Sequence, residues 1–366
     1  MDERGFAMRR LLIFAVAVVL GLAGSGGAAL AAAAVPTTDA GFFEMFQAKN
    51  DTVWSGGDQV TSLRAPNGLT YWAFGDTMLG EEDPATGAYQ PGWSMIANKI
   101  LVQRDGDLTA ATSGAAVPDP GDGDRYWTQG MFTTGGKLYV LCLRVRNVDD
   151  YFELRGVELA RFAFNADGTL RLETMLNTPS TGKTGGSSVD TAQYSSDAVV
   201  SGGYVYIFGF ANAPEDAFFP QRSYVARVPT ASIASASAWQ FYSAGSWSST
   251  MTAATPILSA QVSSVRLVNG QWLMAYKPWN GWGDTVYVER RATPYADPSA
   301  TVTVPSPAGV TPGGQSYLTY SPQLHPEQTL TSGKLLLSIA WNGASPADLL
   351  ADADLYKPRF SEISAP

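Results

Sequence analysis

Four acidic side chains and one imidazole stand where short apolar runs begin or end. Asp58 closes Trp54-Ser-Gly-Gly-Asp58 just before one such run, and Asp76 follows Phe74-Gly75 at the end of the next. Asp197 closes Tyr194-Ser-Ser-Asp197, and His325 and Glu327 share Pro322-Gln-Leu-His-Pro-Glu327. Carboxyls gathered from distant parts of a chain suit acid–base cleavage of a glycosidic bond. One serves as base or nucleophile, and another, its pKa raised, hands a proton to the leaving oxygen. Asp58 is assigned the first role and Asp197 the second, with Asp76 and His325 orienting substrate or tuning the acid. Crowding of like charges is what would hold one carboxyl protonated near neutrality.

Four of these residues have a competing structural reading. Asp58 follows two glycines and Asp197 two serines, so both suit turns in which the carboxylate caps backbone N–H groups. Asp76 could cap the turn into Met78, and His325, ahead of a proline, could be a structural hydrogen bonder. Trp54, Trp93, Trp127, Trp279 and Trp282 fall in loops near the acids, and Gln129 and Gln261 begin comparable runs with neutral amides. Trp54, Gln129, Trp127, His325, Glu327 and Trp279 are therefore expected to bind substrate, the indoles as stacking platforms. The alternative for the tryptophans is packing between sheets. Glu81-Glu82-Asp83-Pro84 reads as a solvated acidic loop, with calcium ligation as its alternative.

Such residues must be brought together by strands. Downstream of the N-terminal segment, short β-branched and aromatic runs alternate with Gly, Pro, Asn and Asp turns, and helical periodicity is nearly absent. One pattern recurs five times: a short strand, a glycine-containing turn, then a strongly apolar strand. The copies are Gln59–Gly75, Gln129–Leu143, Ser196–Gly209, Val262–Tyr276 and Ser321–Ile339, turning at Asn67-Gly68, Gly135-Gly136, Gly202-Gly203, Asn269-Gly270 and Ser332-Gly333. Their spacing leaves room for two further strands each, which predicts an all-β, five-bladed β-propeller of four-stranded blades. In that architecture the first strand of each blade lines the axis. A pair of β-sandwiches is the competing fold. Gly182-Lys-Thr-Gly-Gly-Ser187 lacks the spacing and the following helix of a phosphate loop.

Met8-Arg9-Arg10, the apolar stretch Leu11 to Leu22 and Ala29-Leu-Ala31 have the order of a secretory signal peptide. Residues 1–32 are assigned to it and 33–366 to one propeller domain. The protein is expected to be secreted, without stable membrane insertion after cleavage. An uncleaved anchor is the alternative, and Met8 is a competing start. With 24 basic against 33 acidic residues the chain carries −9, and losing residues 1–31, three Arg against two acids, leaves the body more acidic still. That excludes nucleic acid and anionic membrane as partners of choice. Cys142, the single cysteine, lies in an alternating apolar run and reads as a buried thiol, so no internal disulfide is available. With His325 the only histidine, a His-rich metal site is excluded. No cofactor is expected (axial calcium being the one candidate), and a monomer is the default.

Trp54-Ser-Gly-Gly-Asp58 with Tyr71-Trp-Ala-Phe-Gly-Asp-Thr77 resembles the opening of a secreted, uncharacterised-domain family that includes the endo-D-arabinanases acting on mycobacterial cell-wall arabinan. Tyr320-Ser-Pro-Gln-Leu-His-Pro-Glu327 and the strand Leu335 to Asn342 are similar to that family's last blade. L-arabinanases and fructan hydrolases share similar patterns. The resemblance spans nearly all of the chain after the leader. It implies a five-bladed propeller, glycosidic-bond hydrolysis and paired axial acids, with Asp58 and Asp76 carried over directly and Asp197 less directly. No distinct general-acid glutamate matches. The functional expectation is a secreted glycoside hydrolase acting on a furanoside polysaccharide, D-arabinan first. A non-catalytic glycan-binding propeller and an envelope adhesion domain are the alternatives.

Overall fold

A computed structural model describes residues 34–148, 151–181, 192–212, 221–278, 283–310 and 314–366. The leader, Gly182–Ser187, Trp279 and Trp282 lie outside the described residues. The described chain is all-β, with six sheets and two short α-helices. Five sheets are antiparallel meanders taken in chain order, and each opens on one strand labelled here β1 (Thr61–Arg64), β2 (Asp124–Thr134), β3 (Gln193–Ser201), β4 (Val262–Val268) and β5 (Leu318–Leu324). The five recurring hairpins form the first strand pair of these five sheets. In three of them two successive turn residues have positive φ (Gly135–Gly136, Gly202–Gly203 and Asn269–Gly270), as a tight turn matched to strand twist requires.

The expectation of four strands per copy is corrected. The sheets hold four, four, five, four and three strands, and a sixth, small sheet joins Gly56–Gly57, Thr77–Leu79 and Ser94–Ile96. The three-stranded fifth sheet is covered at its edge by α1 (Asp39–Gln47), an element the strand pattern did not announce. Thr38 caps the helix, its side chain accepting from Gly41 N, and Phe42, Met45 and Phe46 form its buried stripe at i, i+3 and i+4. Phe46 stacks on Phe360 of the fifth sheet at 5.4 Å and meets Trp72 of the first at 5.0 Å.

Neighbouring sheets are sealed by apolar side chains, and this holds all the way round. Ala73 and Ile100 of the first sheet meet Val140 and Phe162 of the second, where Cys142 is also buried. Leu141 and Leu143 meet Val205 and Ile207 of the third, Phe208 and Val225 meet Val265 and Met274 of the fourth, and Leu273 and Ala275 meet Leu337 and Ile339 of the fifth. Leu336, Trp72 and the α1 phenylalanines join the fifth sheet to the first. Burial of this kind stabilises by roughly 25 cal/mol per Å² of apolar surface, so five such seams hold the fold without a disulfide. The strands β1 to β5 pack side by side in order inside these seams, and Ser62 of β1 bonds His325 just beyond β5.

Candidate active site

Asp58 and Asp76 face one another from the bends at the end of a pair of adjacent strands. Gly56 and Gly57 pair with Met78 and Thr77, so the next positions along, Asp58 and Asp76, are opposed. The Asp58 N–H donates to Asp76 O at 3.1 Å, and the Gly75 N–H donates to Asp58 O at 3.0 Å. Gly56 and Gly57 are thus strand, and Asp58 lies in the bend that follows them. Glycine is needed there for space: a Cβ on Gly56 would lie 2.9 Å from Tyr356 Cβ, and one on Gly75 would lie 2.5 Å from Asp58 Oδ1. Directly afterwards Gln59 takes a φ of 53°, which bends the chain into β1.

Asp58 sits deep in the molecule yet keeps an accessible face. Burial, and then the charge of Asp76, push its pKa up to about 8. Working against this, the Tyr320 hydroxyl donates to Asp58 Oδ2 at 3.0 Å and the Tyr356 hydroxyl also favours the charged form. Oδ1 of Asp58 is buried with no hydrogen-bond partner among the described residues. Burial also raises Asp76, to about 6, while the Trp127 indole N–H donates to its Oδ1 at 2.9 Å and the positive charge of Arg125 holds the value down. The result is a coupled carboxyl pair in which one member keeps its proton at neutral pH and the other has lost it.

The first strands are irregular where they reach this region. β2 bulges between Thr128 and Met131, β3 between Gln193 and Asp197, β4 between Val262 and Ser264, and β5 between Tyr320 and Gln323, where Ser321 has a φ of 47°. Bulges re-aim side chains and recur beside functional sites. Here one of them turns Tyr320 toward Asp58. Gln129 of β2 bonds the Gln59 amide, joining the first two sheets beside the carboxyl pair.

The remaining candidates fall elsewhere. Asp197, expected as general acid, is fully buried and spent on structure. Its Oδ2 accepts from the Arg266 guanidinium and from Val265 N at 2.7 Å, and its Oδ1 accepts from Ala198 N at 2.8 Å. Burial raises its pKa, and Arg266 opposes the rise. Arg266 also donates to Leu324 O at 3.1 Å and Thr61 Oγ1 at 3.1 Å, so one side chain ties β3, β4, β5 and β1 together. His325 is not at a mouth but wholly buried, Nδ1 2.5 Å from Ser62 Oγ and Nε2 2.7 Å from Ser338 Oγ. Burial and then Arg266 hold its pKa well below the usual value, so it is a neutral hydrogen bonder. Glu327 shares the Ser62 hydroxyl and lies near Arg266. Trp54, expected as a sugar platform, is core, packed on Phe74 at 5.1 Å and Phe46 at 5.5 Å. Of the expected binding residues that are described, Trp127 and Gln129 stand beside the acids.

Tyr320, Asn342, Tyr356 and Arg125 complete the site and were not singled out as functional from sequence. Tyr320 opens and Asn342 closes motifs quoted above, which was the available signal; Tyr356 and Arg125 carry no local pattern. Among the described residues no group of three or more His, Cys, Asp or Glu is placed to hold a metal ion, and no helix is long and apolar enough to cross a membrane.

Residues 39–365 match a family described as Domain of unknown function (DUF5005). No curated protein sequence matches the chain. Among solved structures, a Bacteroides ovatus protein provisionally named a hydrolase shares the fold, with a TM-score of 0.70 at 20% identity over 88% of each chain. A GH43_1 enzyme from Xanthomonas citri complexed with xylotriose aligns over 88% of this chain and 93% of its own, at 12% identity and a TM-score of 0.49. A family 117 glycoside hydrolase from Zobellia galactanivorans aligns over 87% and 86%, at 10% identity and 0.48.

Proposed function

We propose that this chain, which belongs to the DUF5005 family, is a glycoside hydrolase whose reacting carboxyls are Asp58 and Asp76. The observation that carries the reading is the opposed, buried pair with proton affinities split to about 8 and about 6. Asp58, protonated at neutral pH, donates to the glycosidic oxygen as the bond breaks. Asp76, ionised and held by the Trp127 N–H, acts on the other side as base toward water or as nucleophile. This exchanges the role first given to Asp58 and removes Asp197 from the chemistry, because both its carboxylate oxygens are already taken up by Arg266 and two backbone N–H groups in a fully buried place. No step is assigned to a cofactor.

The five meandering sheets, sealed in a ring, support reading the fold as a five-bladed propeller with its site at one end of the axis. The motif resemblance supports a polysaccharide of furanosides as substrate, with D-arabinan first, and the leader pattern supports secretion. The test is incubation of the purified protein with D-arabinan, L-arabinan, galactan and fructan, with released oligosaccharides read by chromatography. A ladder from one polymer, abolished in Asp58→Asn and in Asp76→Asn, is expected. Full activity in either variant would overturn the assignment, and a folded protein that binds a polymer without cutting it would make the domain a lectin.

A further inference from the structure

Along β2 burial alternates: Asp124, Tyr126 and Thr128 are buried, while Arg125, Trp127 and Gln129 share the accessible face. That face runs from Gln129 beside Gln59, through Trp127 on Asp76, to Arg125. Beyond Trp127 it opens into a groove of about 360 Å³ lined by Asp119, Asp124, Arg125 and Asn147. Phe152, opposite Asn147 on the next strand, stands edge-on to the Trp127 ring at 4.8 Å and is 43% exposed. We propose that this groove is a glycan subsite that binds the sugar residue adjoining the one being cleaved, through the Arg125–Asp119 pair that lines it and the Trp127 and Phe152 rings that flank it. The proposal rests on Asp58 and Asp76 being the hydrolytic pair.

The chemistry of the lining selects a neutral sugar. Asp124 is already consumed, accepting from Arg144 Nε at 2.6 Å and from Arg146. Arg125 lies within electrostatic range of both Asp76 and Asp119, so a donor-rich cation and an acceptor carboxylate stand side by side. That arrangement matches neighbouring hydroxyls, one accepting and one donating. A uronate or phosphate placed there would meet the charges of Asp76 and Asp119. Asn147 adds a buried amide oxygen with no hydrogen-bond partner among the described residues. The volume is at the low end for small-molecule pockets and fits one ring rather than a longer segment. Among the described residues the ring contact of exposed Phe152 is with Trp127, and an aromatic edge near a reacting carboxyl suits the apolar face of a sugar.

Affinity electrophoresis of Asp58→Asn protein through gels containing D-arabinan, L-arabinan, galactan or fructan tests this. That variant keeps the whole groove. Retardation by one polymer is expected, weakened about ten-fold or more when Phe152→Ala or Arg125→Ala is added, with melting temperature unchanged. In the otherwise native chain Phe152→Ala should raise KM for that polymer far more than it lowers kcat. Retardation unaffected by either substitution, in a protein whose parent cleaves the polymer, would sink the subsite and leave the hydrolase standing. Retardation that depends on Phe152 in a protein that cleaves nothing would keep the subsite as a binding site and sink the hydrolase. Neither cleavage nor retardation by any of the four would overturn both.

Discussion

The Tyr320 hydroxyl donates to Asp58 Oδ2 at 3.0 Å and itself accepts from Asn342 Nδ2 at 3.2 Å. The bond crosses from the fifth sheet to the loop that feeds the first, so closure of the ring and orientation of the proposed acid depend on the same contact. It also sets a proton affinity: it favours ionised Asp58 against the burial and the Asp76 charge that disfavour it.

Tyr320→Phe therefore has a directional signature. With Asp58 at about 8 and Asp76 at about 6, activity should follow a bell between those values. Loss of the hydroxyl raises Asp58 further, so the alkaline limb moves to higher pH while the acid limb, set by Asp76, stays. A fall of about ten-fold or more in kcat fits the loss of one hydrogen bond to a charged group, of order 1.5–3 kcal/mol. A pH–rate profile with an unmoved alkaline limb would show that Tyr320 does not act on the acid.

Asp58→Asn should trade activity for stability, with a gain that grows as pH rises. The folded-state value of about 8 lies above the ordinary 3.8, so the folded chain binds a proton that the unfolded chain has released. Stability contributed by the wild-type residue is thus intact below 3.8 and is lost progressively as pH rises to about 8, at up to about 1.4 kcal/mol per pH unit. Asn does not titrate. Melting curves should show the variant several degrees above wild type at pH 9 and level with it at pH 4. Equal curves at both pH values would mean that Asp58 is not held protonated by the fold.

What was legible in the sequence was local. The hairpin turns could be read because Asn269-Gly270 and Gly202-Gly203 are residue types that tolerate the positive φ such turns need. Asp58 and Asp76 were legible as strand-end acids, though not as partners, since their pairing depends on three glycines whose missing Cβ atoms let the strands approach. Asp197 misled because its partner Arg266 is 69 residues away on another sheet, and nothing beside either residue marks the pair. Trp54 looked like a loop residue because Ser55, Gly56 and Gly57 follow it, yet α1 folds back to bury it. The helix had a signal, Phe42, Met45 and Phe46 behind a threonine cap, but nine residues are too few to stand out from a β-rich background.

The placement of Asp197 predicts a loss of stability rather than of chemistry. Asp197→Asn leaves the Arg266 guanidinium without its counter-charge in a largely buried site, and breaking such a pair costs about 3–5 kcal/mol. Urea denaturation should show a midpoint lowered accordingly, with hydrolysis per folded molecule within about ten-fold of wild type. The reverse result, an unchanged midpoint with hydrolysis abolished, would restore Asp197 as a reacting carboxyl.

Two glycine-to-alanine substitutions separate the site from the scaffold most cleanly. A Cβ on Gly75 meets Asp58 Oδ1 at 2.5 Å and Gln59 Oε1 at 3.4 Å, both at the ends of side chains, so the backbone has nothing to yield. The Asp58 carboxyl must swing away from its place opposite Asp76. Gly75→Ala should fold with a melting temperature close to wild type and lose hydrolysis by about a hundred-fold or more. A Cβ on Gly130 instead falls inside contact distance of Asp197 Cα and lies 2.8 Å from the Asp197 carbonyl carbon and 2.9 Å from Ala198 N, all backbone. There β2 and β3 would have to part, displacing the backbone that carries Asp197. Gly130→Ala should melt far lower or fail to accumulate as soluble protein. If Gly75→Ala hydrolyses normally, the position of Asp58 against Asp76 is not what the reaction requires, and the assignment of the pair fails with it.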